Sequence, residues 1–207
     1  MSEFVELRLS RNRGWPWPES SWGLIPMFGE DGWCHGCGVP QRPQCGSLVL
    51  QRKGFTKGVE GAWMPNWQFD VICLDHELGR RVAKRFDVEL LEVGWHGTSP
   101  GEAVQIVVPT VGDAWFDPEE LRAAAIAVHG TDGAKCPDCG VWRWMPLDFG
   151  SLPPLRITPA LGDVDVAASP EWFGDGWKAF RQVLMRRPLA EMIAAASPRD
   201  FEVSKVR

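Results

Sequence analysis

Trp33-Cys34-His35-Gly36-Cys37-Gly38 contains a Cys-x-x-Cys-Gly pattern that recurs once, as Cys136-Pro137-Asp138-Cys139-Gly140, with 98 residues between Cys37 and Cys136. Two Cys separated by two residues can grip one ion while the backbone between them turns tightly. A Gly directly after the second Cys permits the positive φ that such a knuckle needs. Four thiolates suit zinc, which takes tetrahedral sulfur coordination at about 2.3 Å per bond. The expectation is one structural Zn2+ held by Cys34, Cys37, Cys136 and Cys139. A four-thiolate site has no open coordination position, so the metal would contribute folding free energy and take no part in catalysis.

The flanking residues bear on the alternatives. A thioredoxin-like redox pair opens a helix after a strand, whereas Gly38-Val39-Pro40 and Gly140-Val141-Trp142 do not read as helix starts. The first twenty residues hold no basic region followed by an apolar stretch of signal-peptide length, and no run approaches the roughly 18 apolar residues of a membrane span. A cytoplasmic protein with no membrane partner is expected, in which thiols stay reduced and close Cys pairs ligate metal rather than form disulfides. Cys73, inside the apolar run Val71-Ile72-Cys73-Leu74, reads as a small buried residue, and Cys45, in a Pro-rich loop, could serve as a spare ligand. His35 is expected to face solvent, and His129 to solvate a helix end.

A chain of 207 residues can bury about 70% of its unfolded surface, so it needs no disulfides to make a core. Its 44% hydrophobic and 24% charged content are ordinary for a globular protein. Twelve Trp, no Tyr and seventeen Pro, with only short apolar runs, point to strands and loops with a few helices. The net charge of −5 disfavours a partner with a phosphate backbone and is complementary to a basic protein partner.

Val5, Leu7 and Leu9 alternate with Glu6 and Arg8, the period of a half-buried strand. Residues 11–33 read as a Gly-, Pro- and Trp-rich loop, and Ser47–Gln51 as a short strand. Asp75 caps a helix running to Phe86, with Leu78, Val82 and Phe86 on one stripe. Strands are expected over Asp87–Val93 and Ala103–Pro109. Asp117-Pro118-Glu119-Glu120 opens a second helix that Gly130 closes, with Leu121, Ala124, Ala125 and Val128 inward. After an irregular segment, Leu147–Pro159, a third helix is expected from Asp175 to Arg187, with Trp177, Phe180 and Leu184 inward. Pro188 breaks it, Leu189–Ala196 continues it, and Phe201–Val206 forms a terminal strand.

The fold class is therefore α+β, strand-rich with about three helices, forming a single compact unit over 1–207. Segments 34–95 and 136–206 read as two divergent copies of one unit, tied by a zinc-ribbon-like four-cysteine site. In each, a knuckle precedes an aspartate triplet (Phe69-Asp70-Val71 or Val164-Asp165-Val166), a helix and a strand.

No phosphate-binding glycine loop, nucleophile elbow or metalloprotease helix is present. The pairs Glu119-Glu120 and Glu89…Glu92 fit a helix start and a solvated face, so no catalytic residue is assigned and no enzyme is expected. Arg80, Arg81, Lys84 and Arg85 read as a solvated helix face, or else as a surface for an acidic or nucleic-acid partner. Trp15, Trp17, Trp142 and Trp144 could form an exposed aromatic patch.

Cys34, Cys37, Gly38, Cys136, Cys139 and Gly140, in a chain of this length ending in a helix and a short strand, resemble the double-CXXCG motif paralogous family of myxobacteria. That family includes proteins described as immunity partners of the Sit-type toxins. The resemblance implies a cytoplasmic immunity protein that binds and neutralises a cognate protein toxin, and it offers no catalytic residues. The alternative from the residues alone is a zinc-ribbon adaptor for nucleic acid or a transcription component.

Overall fold

A computed structural model describes residues 3–11, 13–14, 16–51, 59–97, 99, 101–156, 161–174 and 179–206. Among them are fourteen strands and four helices in four small sheets, the mixed class the sequence implies.

The local signals that involve a specific cap are realised. Asp75 accepts a hydrogen bond from the Leu78 N–H at the start of α2 (His76–Arg85), which buries Leu78 and Val82. Asp117 accepts from the N–H groups of Glu119 and Glu120 at the start of α3 (Pro118–His129), and Gly130 ends it at φ 75°. Leu121 and Ala125 of α3 are buried, but Val128 is 54% exposed and lies off the inward stripe.

Two four-stranded antiparallel sheets carry the architecture; the first is built wholly from the early half of the chain, and the second takes one strand, β1, from the far end. The first has the order β4 (Ala62–Trp63), β5 (Ile72–Asp75), β8 (Ala103–Val107), β6 (Glu89–Glu92). The second has the order β11 (Val166–Ala168), β13 (Val183–Arg186), β1 (Phe4–Leu9), β14 (Phe201–Lys205). In both, the second strand runs straight into a helix, α2 or α4 (Arg187–Ala196), and the chain returns as the opposite edge strand. The registers match as well. Leu74 faces Val104 and Ala62 in the first sheet, where Met185 faces Val5 and Val166 in the second. Leu91 faces Gln105 where Ser204 faces Glu6. The matching elements thus extend beyond 34–95 and 136–206, because β1 completes the late sheet and β8 the early one.

The expected helix over Asp175–Arg187 is not formed in its described part, 179–186. Residues 175–178 lie outside the described set, Val183–Arg186 is the second strand of its sheet, and the helix begins at Arg187 with Pro188 in its first turn. Pro188 lacks an N–H that no residue in the first turn of a helix needs, so it starts α4 instead of breaking an earlier helix. Val164-Asp165-Val166 leads into β11, the counterpart of β4, so Asp165 is not the structural equivalent of Asp70.

The two sheets share one core. Val5 and Leu7 of β1, Leu74 and Ile106 of the first sheet, Leu78 and Val82 of α2, and Leu189, Ala190 and Ile193 of α4 form a single buried cluster. Each fully buried aliphatic side chain of this kind contributes about 1.5–3 kcal/mol. Trp63, Cys73, Leu48 and Leu50 cover the other face of the first sheet. Phe4, Leu184, Trp115 and Phe116, with α3, cover the other face of the second.

Asp70 and Arg181, which stand the same distance ahead of α2 and α4, bond to each other across the middle of the molecule, Arg181 Nε donating to Asp70 Oδ2 at 3.3 Å. Beside them, Phe69 and Phe180 meet edge to face at 5.3 Å.

The remaining sheets are three-stranded. β2 (Trp17–Pro18), β3 (Val49–Gln51) and β7 (Gly94–His96) lie beside the short helix α1 (Leu24–Phe28), which falls in the stretch expected to be loop. β9 (Gly133–Lys135), β10 (Trp142–Trp144) and β12 (Trp172–Phe173) frame the second cysteine knuckle. No helix among the described residues is long and apolar enough to cross a membrane.

Candidate metal centre

The two knuckles are built alike. In the first, Cys34 N–H donates to Val39 O at 2.9 Å and Gly38 N–H to Cys34 O at 2.7 Å. In the second, Cys136 N–H donates to Val141 O at 2.9 Å and Gly140 N–H to Cys136 O at 3.0 Å. Gly38 and Gly140 both sit at φ 75°, the left-handed conformation that a Cβ disfavours. The antiparallel pairing of Lys135 with Trp142 closes the second knuckle, and a bridge between Trp33 and Pro40 closes the first.

The knuckles face each other and bring Cys34, Cys37, Cys136 and Cys139 together, with all four sulfurs within 4.8 Å of one another. Cys34 Sγ lies 3.7 Å from Cys136 Sγ, and Cys37 Sγ lies 3.6 Å from Cys139 Sγ. A tetrahedron with 2.3 Å metal–sulfur bonds has an edge of about 3.8 Å, whereas a disulfide requires about 2.05 Å. The spacing therefore suits four thiolates around one ion and does not describe two disulfides. Cys34, Cys37 and Cys136 are buried and Cys139 is half-buried, under Val39, Val141, Trp172 and Ala179.

The thiols are differentiated by their surroundings. The N–H groups of Cys139 and Asp138 point at Cys136 and pull its thiol down to about 7. Burial pushes the Cys37 and Cys139 thiols up, partly offset by the N–H groups of Val39 and Val141. Backbone N–H groups directed at sulfur are what a thiolate cluster needs, because they stabilise negative charge away from water. Gly36 allows the knuckles to approach, because a Cβ there would collide with Asp138 Oδ2.

The other sulfur and imidazole groups stand apart from the cluster. His35 stacks on Trp33 at 4.1 Å and its Nε2 contacts Glu30 O. His129 Nε2 meets Pro146 O at 2.6 Å, at the end of α3. Cys45 is exposed, with its thiol 3.5 Å from Met27 O. Cys73 is fully buried in β5, and burial pushes its thiol up. His76 pairs with Glu102 at 3.0 Å.

The aromatic patch expected from Trp15, Trp17, Trp142 and Trp144 is only partly present. Trp15 lies outside the described residues, Trp144 is buried, and Trp17 and Trp142 are exposed. Sequence reasoning overlooked a different exposed pair, Trp67 and Phe69, which meet edge to face at 6.1 Å. Their only sequence signal is the crowding of Pro65, Trp67 and Phe69 within a turn. Trp67 adopts φ 64°, unusual for a bulky side chain.

Compared with protein-family models and with curated proteins, the chain matches none.

Proposed function

We propose that the chain is an immunity protein that binds and neutralises a cognate protein toxin in the cytoplasm, with a structural zinc ion in the four-cysteine cluster. The observation that carries the binding part is the exposed Trp67–Phe69 pair, 42% and 37% accessible and contiguous in space. Exposed aromatics are the residues most often found at the energetic centre of protein contacts. The left-handed backbone at Trp67 adds a cost of about 1–2 kcal/mol that the fold carries to present that ring. The net charge of −5 favours encounter with a basic partner. Zinc is supported by the all-sulfur donor set at near-tetrahedral spacing, which leaves no position for substrate. The toxin itself is implied by the family resemblance of the cysteine motifs.

The test is co-expression with the toxin encoded beside the gene, together with a pull-down. Rescue of growth through a one-to-one complex, weakened about tenfold or more by Trp67→Ala, is expected. A neighbouring toxin that stays lethal and is not captured overturns the reading.

A nucleic-acid adaptor is the second reading, favoured by the exposed basic run Arg80, Arg81, Lys84 and Arg85 on α2. It predicts DNA or RNA binding that weakens steeply with salt, which the toxin reading does not.

A further inference from the structure

Because the two large sheets share order and register, positions in one have counterparts in the other, and among the counterparts that differ in chemistry one pair lies beside a cavity on each side. Gln105 in β8 occupies the place that Glu6 occupies in β1. Gln105 makes a reciprocal amide pair with Gln44: Gln44 Nε2 donates to Gln105 Oε1 at 3.0 Å, and Gln105 Nε2 to Gln44 Oε1 at 3.2 Å. Each amide is satisfied by the other, beside a cavity of about 540 Å³. Glu6 instead has the carboxylate of Asp148 near it, close enough for their charges to repel. Two carboxylates cannot satisfy each other as two amides do, since ionised oxygens only accept.

The groups around Glu6 answer its charge only in part: Arg8 attracts it without forming an ion pair with it. Arg8 pairs with Glu202 at 3.5 Å. Arg181, which also reaches this cavity, directs its guanidinium to Asp70 and Thr110 and lies over the Trp172 ring at 5.1 Å. No described residue forms an ion pair or hydrogen bond with the Glu6 carboxylate. Glu6 and Asp148 line a cavity of about 420 Å³, located where β1 and β13 separate after pairing at Phe4 and Val5. Its other walls include Trp67, Phe69, Phe149 and Phe180.

Aromatic faces attract cations through the ring quadrupole, and an adjoining carboxylate pair supplies the matching charge. We infer that this cavity is a recognition site for an organic cation: an ammonium or guanidinium group on an apolar stem, the cation lodged between Glu6 and Asp148 and the stem against the aromatic rings. Burial pushes the Glu6 carboxyl up to about 7, with Asp148 and Glu202 adding to the rise and Arg8 opposing it, as expected of a carboxylate lacking its counter-ion. The inference stands without the toxin reading, because it concerns the cavity alone.

The test is calorimetric titration of the zinc-loaded full chain with 2-phenylethylamine and with 2-phenylethanol, which replaces the ammonium by a neutral hydroxyl. Methyl NMR of Met64, another residue of the cavity wall, reports the location. A blocked peptide with one Lys among leucines, and its norleucine analogue, form the second arm. The amine is expected to bind at least about tenfold more tightly than the alcohol, to shift the Met64 methyl signal, and to lose about tenfold or more of its affinity in both Glu6→Gln and Asp148→Asn. Tighter binding of the Lys peptide than of the amine assigns the cation to a partner chain, and the reverse assigns it to a free small molecule. Equal affinity for amine and alcohol, absence of binding of either cation up to about 10 mM, or binding that both substitutions leave unchanged overturns the inference.

Discussion

Replacing Glu6 by Gln should stabilise the free protein, and only above a particular pH. The Glu6 carboxyl is raised from its ordinary value of 4.5 to about 7, with burial the largest cause. A group whose folded value exceeds its unfolded one favours the fold while both states hold the proton, at pH below about 4.5, and this contribution fades as pH rises through the folded value near 7. Wild-type stability should therefore decline between pH 5 and pH 8 by whatever Glu6 contributes. The rise from 4.5 to about 7 sets an upper limit of about 3 kcal/mol. The side chain is only half-buried, so solvent screening reduces the expected effect to about 1 kcal/mol. Gln keeps the shape, carries no charge, and can donate its amide to Asp148, as Gln44 does to Gln105 in the other half. The assay is urea denaturation of wild type and Glu6→Gln at pH 5 and pH 8. The variant should gain about 1 kcal/mol at pH 8 and almost nothing at pH 5. A variant less stable at both pH values, or a difference that does not change with pH, refutes the picture of an ionised carboxylate held without its counter-ion.

Three further outcomes are expected. Metal analysis should find one zinc ion per chain, lost in Cys37→Ser and retained in Cys45→Ser, with chelation lowering the urea midpoint of the wild type and of Cys45→Ser but not of Cys37→Ser. Reaction of the metal-loaded protein with an aromatic disulfide reagent should modify one thiol quickly, the exposed Cys45, while Cys73 reacts only on unfolding. Asp200→Asn should cost about 3 kcal/mol at neutral pH by thermal or urea unfolding, because Asp200 is 2% exposed and accepts from both Arg11 and Arg13. The two guanidiniums hold the Asp200 carboxyl below its ordinary value against the opposing effect of burial. Its contribution is therefore present above the unfolded value and lost on acidification through the folded one.

The parts of the molecule that could be read from sequence are those fixed by residues close together in the chain. Asp75 and Asp117-Pro118 mark helix starts because the cap bonds within three residues of itself. The cysteine cluster was legible because each half of it is a five-residue motif, even though the halves are 102 residues apart. Val183–Arg186 misled for the opposite reason. Buried on both faces between β11 and β1, it shows no alternation, and Phe180 and Leu184 happen to fall at helical spacing. The cavity at Glu6 left no trace in the sequence at all. Glu6 sits in an alternating strand where a solvated glutamate is the ordinary reading, and Asp148 and Phe149 reach it only through tertiary packing.

The placement of β1 in the late sheet has a consequence for how the protein is made. During synthesis the early sheet can close once β8 emerges, but β1, which precedes every strand of that sheet, has no place until β13 and β14 exist. Its backbone hydrogen-bonding groups and the side chains of Val5 and Leu7 must wait, solvated or shielded by a chaperone, while most of the chain is translated. The late half then closes onto the early one through β1, so that cutting the chain between β8 and the second cysteine knuckle would leave the early sheet whole and the late sheet one strand short. In a split version the late fragment should accordingly fail alone, yet fold when the early fragment carrying β1 is produced in the same cell.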